Sequence, residues 1–203
     1  MLVRLGTIAA VAIILAVGIS LYLRHEHNVR QQALQSALQI ETASLGQQAG
    51  DNQLNFASEA DRTKAAVKAW TEIAAKYSGT DVGTIAEYFL ASHAADAGNV
   101  QEAERRFKEV ADSGKTDYAS LAKLSLAQIY ASSGKIDDAK RLLQSVIDHP
   151  NPMVSKDAAT IALAHVMAQS NPQEARKLLE PLRGSDRPAV SRAALSALGE
   201  LPK

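Results

Sequence analysis

The sequence contains no cysteine among its 203 residues, and aromatic residues make up only 4% of it. Without cysteine the chain has no disulfides, no thiolate zinc site, no cysteine nucleophile and no lipoprotein anchor. Few aromatic residues beside abundant Ala, Leu, Gln, Lys and Glu favour helices packed through small side chains over β-sheets. An excess of charge is also lacking, since 22 basic residues balance 22 acidic ones. We therefore predict an all-α protein without a nucleic-acid partner.

The most apolar segment lies at the N-terminus. Leu5 to Leu23 form a run of 19 residues without a charge, which as a helix would span roughly 28 Å, enough to cross a bilayer. Arg4 precedes the run, Arg24 follows it, and Tyr22 stands where an interfacial aromatic side chain is expected. The pattern predicts a single transmembrane signal anchor that contacts the lipid bilayer through residues 5–23.

A cleavable signal peptide is the alternative for this segment. Residues 1–4 could form a short positive region, and Gly18-Ile19-Ser20 offers small residues for cleavage. The apolar run continues through Leu21 to Leu23, however, and exceeds the roughly 7–15 residues of a signal core. The charges on the two flanks do not decide the orientation of the segment in the membrane. Because only four residues precede the apolar run, the true start of the protein could lie farther upstream. Both alternatives imply insertion or export.

Three blocks of the sequence superpose without gaps at a spacing of 36 residues: LASHAADAGNVQEAERRF, LAQIYASSGKIDDAKRLL and ALAHVMAQSNPQEARKLL. Small residues recur at one position and large apolar residues recur four positions later, on the same helical face. The recurring positions are Ala103, Ala139 and Ala175, followed by Phe107, Leu143 and Leu179. Each block predicts a helix, a short turn and a second helix, and such hairpins must stack to bury their apolar stripes.

Flanking segments extend the predicted stack at both ends. Trp70 lies on an apolar stripe that copies a second helix, which predicts that it packs in the core rather than binding a ligand. Residues 28–45 could supply the matching first helix, and the Gly- and Asn-containing stretch 46–55 would separate the two. Pro188 opens a last helix that we predict to cap the C-terminal end.

The repeat resembles the tetratricopeptide repeat (TPR) family in residues 81–183. The family's Leu-Gly, Tyr, Gly, Ala and Phe positions are matched best by Leu126-Ala127, Tyr130, Gly134, Ala139 and Leu143. Glu87, Lys123 and Ala159 stand where the family carries an early Trp, and the period is longer than usual. The resemblance implies a TPR-like α-solenoid that binds protein partners in its concave groove.

The combination of one N-terminal anchor with divergent repeats is similar to a bacterial TPR-like membrane-anchored family that includes the ancillary subunit of the SecYEG translocon. This resemblance implies a single-pass protein of the bacterial inner membrane with its C-terminal domain in the periplasm. It implies an adaptor in protein translocation or envelope protein assembly, with the Sec translocon or periplasmic chaperones as partners. The alternative is an exported, cleaved periplasmic scaffold in cell division or envelope assembly.

We divide the chain into three parts on this basis. Residues 1–24 form the signal-anchor helix, residues 25–57 a juxtamembrane helix and loop, and residues 58–203 the repeat domain with its capping helix.

No segment predicts catalysis, a cofactor or a metal site. Ser113 to Thr116 contain the Gly-Lys-Thr of a phosphate-binding loop, but the required earlier glycine is replaced by Glu109 and the stretch joins two helices. His25 and His27 lie two residues apart on a helix and do not face one metal ion. We predict that the protein is not an enzyme.

The predicted binding residues follow from the TPR resemblance, which places one face of each first helix in the groove. At the 36-residue spacing these positions are Tyr88, Ser92, Asp96, Leu124, Gln128, Ser132, Thr160 and Ala164. They are small or polar and lack the Lys and Arg cluster that would bind a C-terminal carboxylate. His93 and His165 also fall at one repeat position in this alignment.

Overall fold

The computed structural model describes residues 2–46, 54–114 and 116–202, with side chains from residue 17 onward. It is helical almost throughout this part of the chain. In order, the elements are α1 (Leu2–Glu41), β1 (Ser44–Leu45), β2 (Asn55–Phe56), α2 (Glu59–Lys76), α3 (Asp81–Asp96), α4 (Val100–Ser113), α5 (Tyr118–Ser132), α6 (Ile136–Asp148), α7 (Lys156–Met167), α8 (Pro172–Arg183) and α9 (Pro188–Glu200). The all-α prediction is confirmed for the described residues.

The chain forms two compact units, Met1–Val82 and Gly83–Lys203. In the first unit α1 packs against α2, and the two-residue strands β1 and β2 pair in parallel. Ser58 begins α2 because its hydroxyl accepts a hydrogen bond from the Asp61 amide, which satisfies a free donor of the first turn. The predicted boundary at residues 24–25 falls inside α1, and α2 lies in the first compact unit. The predicted three-part division of the chain stays a prediction.

Trp70 is the largest buried side chain of the first unit. It is fully buried on α2, and its indole Nε1 donates a 2.6 Å hydrogen bond to Oε1 of Glu41 on α1. The buried indole N–H therefore has the acceptor that it needs in an apolar environment. The prediction that Trp70 packs in the core is confirmed.

The predicted anchor lies in α1. Among the residues with described side chains, no helix is long and apolar enough to cross a membrane. Residues 5–16 of the anchor lie outside those residues.

The second unit is built from three helical hairpins, α3–α4, α5–α6 and α7–α8, followed by α9. The second helices begin at Val100, Ile136 and Pro172, which keeps the 36-residue spacing. The recurring small residues are completely buried, and the recurring large residues are at most 2% exposed: Ala103, Ala139, Ala175, Phe107, Leu143 and Leu179. Alanine at the closest contacts lets the helix axes approach, and the large side chains fill the space beside them. The predicted TPR-like solenoid is confirmed.

The turns within the hairpins differ. Gly98 and Gly134 end the first helices of the first two hairpins with φ of 76°, a left-handed conformation that costs a residue with a Cβ about 1–2 kcal/mol. Ser170 occupies that position in the third hairpin, where α7 instead ends at Met167. Asn171 then caps α8 by accepting a hydrogen bond from the Glu174 amide.

The first helix of the third hairpin is shifted by one residue relative to the 36-residue spacing. Ala122, Leu126 and Ala127 are buried on α5, and the buried set with the same pattern on α7 is Ala159, Leu163 and Ala164. Each of these residues lies 37 positions after its counterpart. The 36-residue spacing would instead align Ala122 with Ala158, which is exposed.

The loop before α7 accommodates the shift. It spans residues 149–155, whereas the loop before α5 spans only residues 114–117. Asn151 stabilises the longer loop through its side chain. Its Oδ1 accepts hydrogen bonds from the Met153 and Val154 amides. Its Nδ2 donates a 3.0 Å hydrogen bond to Oγ of Ser120 on α5. The loop places Val154, which is 1% exposed, in a small core with Val146 and Ala159.

Candidate protein-binding groove

The first helices of the three hairpins line two adjoining grooves of the second unit. The α3–α5 groove has a volume of about 440 Å³ and is lined by Ser92, Ala95, Asp96, Phe107, Ser125, Gln128, Ile129 and Ser132. The α5–α7 groove has a volume of about 380 Å³ and is lined by Leu124, Ala127, Gln128, Ala131, Leu143, Ala158, Ile161, Ala162, His165 and Val166. Gln128 is exposed on α5 and lines both grooves.

Five of the eight predicted binding residues line these grooves. Ser92, Asp96 and Ser132 lie in the α3–α5 groove, Leu124 lies in the α5–α7 groove, and Gln128 lies in both. The arrangement follows from helical geometry, because residues four apart on α3 and on α5 point to the same side. Whether they bind a partner stays a prediction.

Thr160 and Ala164 were predicted to line the groove, but the structure does not place them there. Both are buried, and Ala164 packs in the core cluster that contains Ala194 and Ala197 of α9. The one-residue shift of α7 turns Thr160 and Ala164 away from the groove. Ile161 and His165 take their places.

Tyr88 belongs to an aromatic cluster and does not line either groove. Its ring lies 5.7 Å from that of Phe107 and 5.1 Å from that of Tyr118, both in edge-on geometry. Such pairs add stability beyond the burial of area. Burial, together with the neighbouring Tyr88, raises the pKa of Tyr118 above its usual value. The contacts indicate that Tyr88 joins α3, α4 and α5.

Sequence reasoning missed several lining residues. Ala95 and Ser125 lie one turn away from predicted positions and broaden the α3–α5 groove. Ile161 and His165 would have followed from a 37-residue offset for α7, and the signal for that offset was the longer segment between α6 and α7. With this offset, His93 and His165 no longer occupy the same repeat position, because His165 corresponds to Gln128 of the preceding hairpin.

Most charges of the second unit lie on the second helices and are paired there. Glu102 accepts hydrogen bonds from the side chains of Arg105 and Arg106 on α4, which lower its pKa to about 2. Arg106 also forms an ion pair with Glu87 of α3. Lys135 Nζ lies 3.1 Å from Glu104 Oε1 and 4.9 Å from the centre of the Tyr130 ring. The Arg106–Glu87 and Lys135–Glu104 pairs connect neighbouring elements, and none of these residues lines either groove.

Within the described residues, no three His, Asp or Glu side chains could hold a metal ion together. Ser113 ends α4 and Gly114 follows with φ of 59°, so this stretch is the turn between two hairpins, as predicted. Lys115 lies outside the described residues.

The sequence matches the model of one protein family, the tetratricopeptide repeat-like domain, over residues 3–117 and 111–186. The chain belongs to this family. TPR-like repeats typically form scaffolds without enzymatic activity that bind protein partners. The first match begins within the N-terminal segment, so it includes most of α1 as well as the first repeat helices.

Two solved structures share the fold of this TPR-like chain. Both are crystal structures of nearly identical TPR-like repeats from Podosopora anserina, described as belonging to a kinesin light chain, and the second is a single-substitution variant of the first. Each is 18% identical in sequence with a TM-score of 0.55, covers 87% of this chain, and is itself covered to 83% or 82%. No curated protein matches significantly. At this identity the likeness extends to the fold alone.

Proposed function

We propose that this TPR-like protein is a membrane-anchored scaffold that holds segments of partner proteins in the grooves between α3, α5 and α7. The observation that carries the proposal is the pair of adjoining grooves, which share Gln128 and together extend across three first helices. Solenoids use this kind of extended surface to bind peptides and partner helices.

The proposed anchor is the N-terminal part of α1. Its described end presents apolar side chains that are 52–64% exposed: Val17, Ile19, Leu21, Tyr22 and Leu23. A contiguous apolar surface of this kind is costly in water and favourable in lipid. The uncharged run of residues 5–23 supports the same proposal.

We place the repeats in the periplasm of a bacterium, with the anchor in the inner membrane. In this position the scaffold would receive segments of proteins that emerge from the Sec translocon or that are carried by periplasmic chaperones. The resemblance to the bacterial anchored TPR-like family supports this role. The grooves support a binding function whichever compartment the repeats occupy.

The first experiment tests the anchor. The full chain is expressed in a bacterium, and intact spheroplasts are treated with protease while the C-terminus is followed by a tag. We expect the protein in the membrane fraction with its C-terminus digested. Release after export would identify residues 5–23 as a signal peptide, and a protected C-terminus in the membrane fraction would place the repeats in the cytosol.

The second experiment tests the grooves. A photo-crosslinking amino acid replaces Gln128 in the full chain, and cells are irradiated before the membrane fraction is analysed. The matched control carries the same amino acid at Arg141 of α6, whose side chain is 73% exposed outside both grooves. We expect crosslinks to translocon components or exported proteins at Gln128 and few at Arg141. Equal crosslinking at both positions would contradict binding in the grooves.

A further inference from the structure

The α3–α5 groove carries a negative charge without a neighbouring positive one. Asp96 is exposed at the last residue of α3 and lines the groove with three serines and Gln128. No ion pair or side-chain hydrogen bond joins Asp96 to another residue in the described part of the chain. The described lining also contains no Lys, Arg or His.

The ends of two helices add to this negative potential. α3 ends at Asp96 and α5 ends at Ser132, and both residues line the same groove, so the two helices run in the same direction. Each C-terminus carries a partial negative charge of about half an electron from the aligned peptide dipoles. A carboxylate at such an end is unfavourable unless a cation lies near it.

Two of the three serine hydroxyls that line the groove donate their protons to backbone carbonyls of their own helices. Ser92 Oγ donates its proton to the Tyr88 carbonyl at 3.1 Å, and Ser132 Oγ donates to the Ile129 carbonyl at 2.9 Å. Their lone pairs are left to accept hydrogen bonds from an occupant. Lys135, in the turn that follows α5, instead forms an ion pair with Glu104 and lies over the ring of Tyr130.

The adjoining α5–α7 groove has the opposite character. Leu124, Ile161 and Val166 line it with alanines, and its polar side chains are Gln128 and His165. His165 Nδ1 lies 3.9 Å from Glu200 Oε2 of α9. An apolar side chain would gain free energy by leaving water for this groove.

We propose that the grooves select a partner segment with a basic residue and a large apolar residue in a fixed order and spacing. The Lys or Arg side chain lies in the α3–α5 groove against Asp96, and the apolar side chain lies in the α5–α7 groove. Neighbouring helix axes lie about 8–10 Å apart and an extended chain rises about 3.3 Å per residue. The two side chains are therefore about three residues apart in an extended segment. This specificity rests on the proposed groove function.

The test is selection from a random dodecapeptide library displayed on phage, with the full chain in detergent as the target. Parallel selections use Asp96→Asn and, as a matched control, Asp137→Asn, whose side chain is 87% exposed on α6. On the wild type and on Asp137→Asn we expect enriched peptides to carry Lys or Arg about three residues from Leu, Ile or Phe. On Asp96→Asn we expect the apolar residue to remain and the basic residue to lose its enrichment.

Synthetic peptides then measure the charge effect. An enriched peptide is compared with its counterpart in which norleucine replaces the basic residue, by fluorescence polarisation. For a partly exposed ion pair assisted by helix ends, the norleucine peptide should bind about threefold to tenfold more weakly. The difference should disappear with Asp96→Asn and decrease with added salt.

Three results would overturn the selectivity. They are selection without basic residues, a preference that survives Asp96→Asn, or no enrichment at all. The crosslinking at position 128 separates these failures from failure of the groove itself, since partners captured there without a basic preference would leave the scaffold function standing.

Discussion

The one-residue shift of α7 can be tested with two neighbouring alanines that receive the same substitution. The 36-residue spacing of the sequence aligns Ala158 with the fully buried Ala122, whereas the structure buries Ala159 completely and exposes Ala158. Leu adds three carbon atoms, and its helix propensity is close to that of Ala. The difference between Ala158→Leu and Ala159→Leu therefore reports packing alone.

The expected magnitudes follow from the surroundings. Ala159 packs with Val146 and Val154, so Ala159→Leu must displace well-packed side chains at a cost of about 1–3 kcal/mol. For a chain of this size that cost lowers Tm by roughly 2–12 °C. Ala158→Leu places the new carbons in the α5–α7 groove and should change the free energy of unfolding by no more than about 0.5 kcal/mol.

Urea and thermal unfolding followed by far-ultraviolet circular dichroism measure both variants, with Ala122→Leu as a reference for a buried alanine. We expect Ala159→Leu to resemble Ala122→Leu, and Ala158→Leu to resemble the wild type. A larger loss of stability for Ala158→Leu than for Ala159→Leu would refute the shifted register and restore the uniform 36-residue spacing.

Three further predictions concern other parts of the second unit. Gly134→Ala should lower the free energy of unfolding by about 1–2 kcal/mol, because φ is 76° there. Gly184→Ala, at φ of −93°, should leave it nearly unchanged in the same urea unfolding experiment. Equal effects would contradict the turn geometry. Leu143→Ala should lower the free energy of unfolding by about 2–5 kcal/mol, because Leu143 is buried in the core. Leu195, half-exposed on α9, should lose less than about 1 kcal/mol when replaced by Ala. Similar losses for both variants would argue against the hairpin core. Glu102 has its pKa lowered by Arg105 and Arg106, so its contribution to stability is present above about pH 4.5 and is lost as the pH falls towards about 2. The urea midpoint of the wild type should therefore fall more over that interval than that of Glu102→Gln, and parallel curves would exclude the contribution.

The second helices were predictable because their residues repeat without insertions. Ala139 and Leu143, for example, have counterparts one full period away, and all of these residues are buried. The local pattern of small and large residues is sufficient there, since each second helix packs through one repeated face. Trp70 was predictable for the same reason, although its acceptor Glu41 lies 29 residues away and could not be read from a local pattern.

The binding grooves were only partly predictable. Five predicted residues line them, while Thr160 and Ala164 are buried because α7 is shifted by one residue. One residue corresponds to about 100° of rotation on a helix, which is enough to exchange a groove position for a core position. A gapless alignment cannot show that the longer loop before α7 moves this helix by one residue while α8 keeps the 36-residue spacing.

The sequence alone determined that this protein is helical, that its hairpins repeat, and which faces of the second helices are buried, because periodicity and side-chain size act over a few neighbouring turns. The tertiary structure decided the register of α7, the place of Tyr88 in an aromatic cluster, and the meeting of Asp96 with the end of α5 in one groove. Those features depend on how loops such as 149–155 position whole helices, and the packing of distant residues fixes that position.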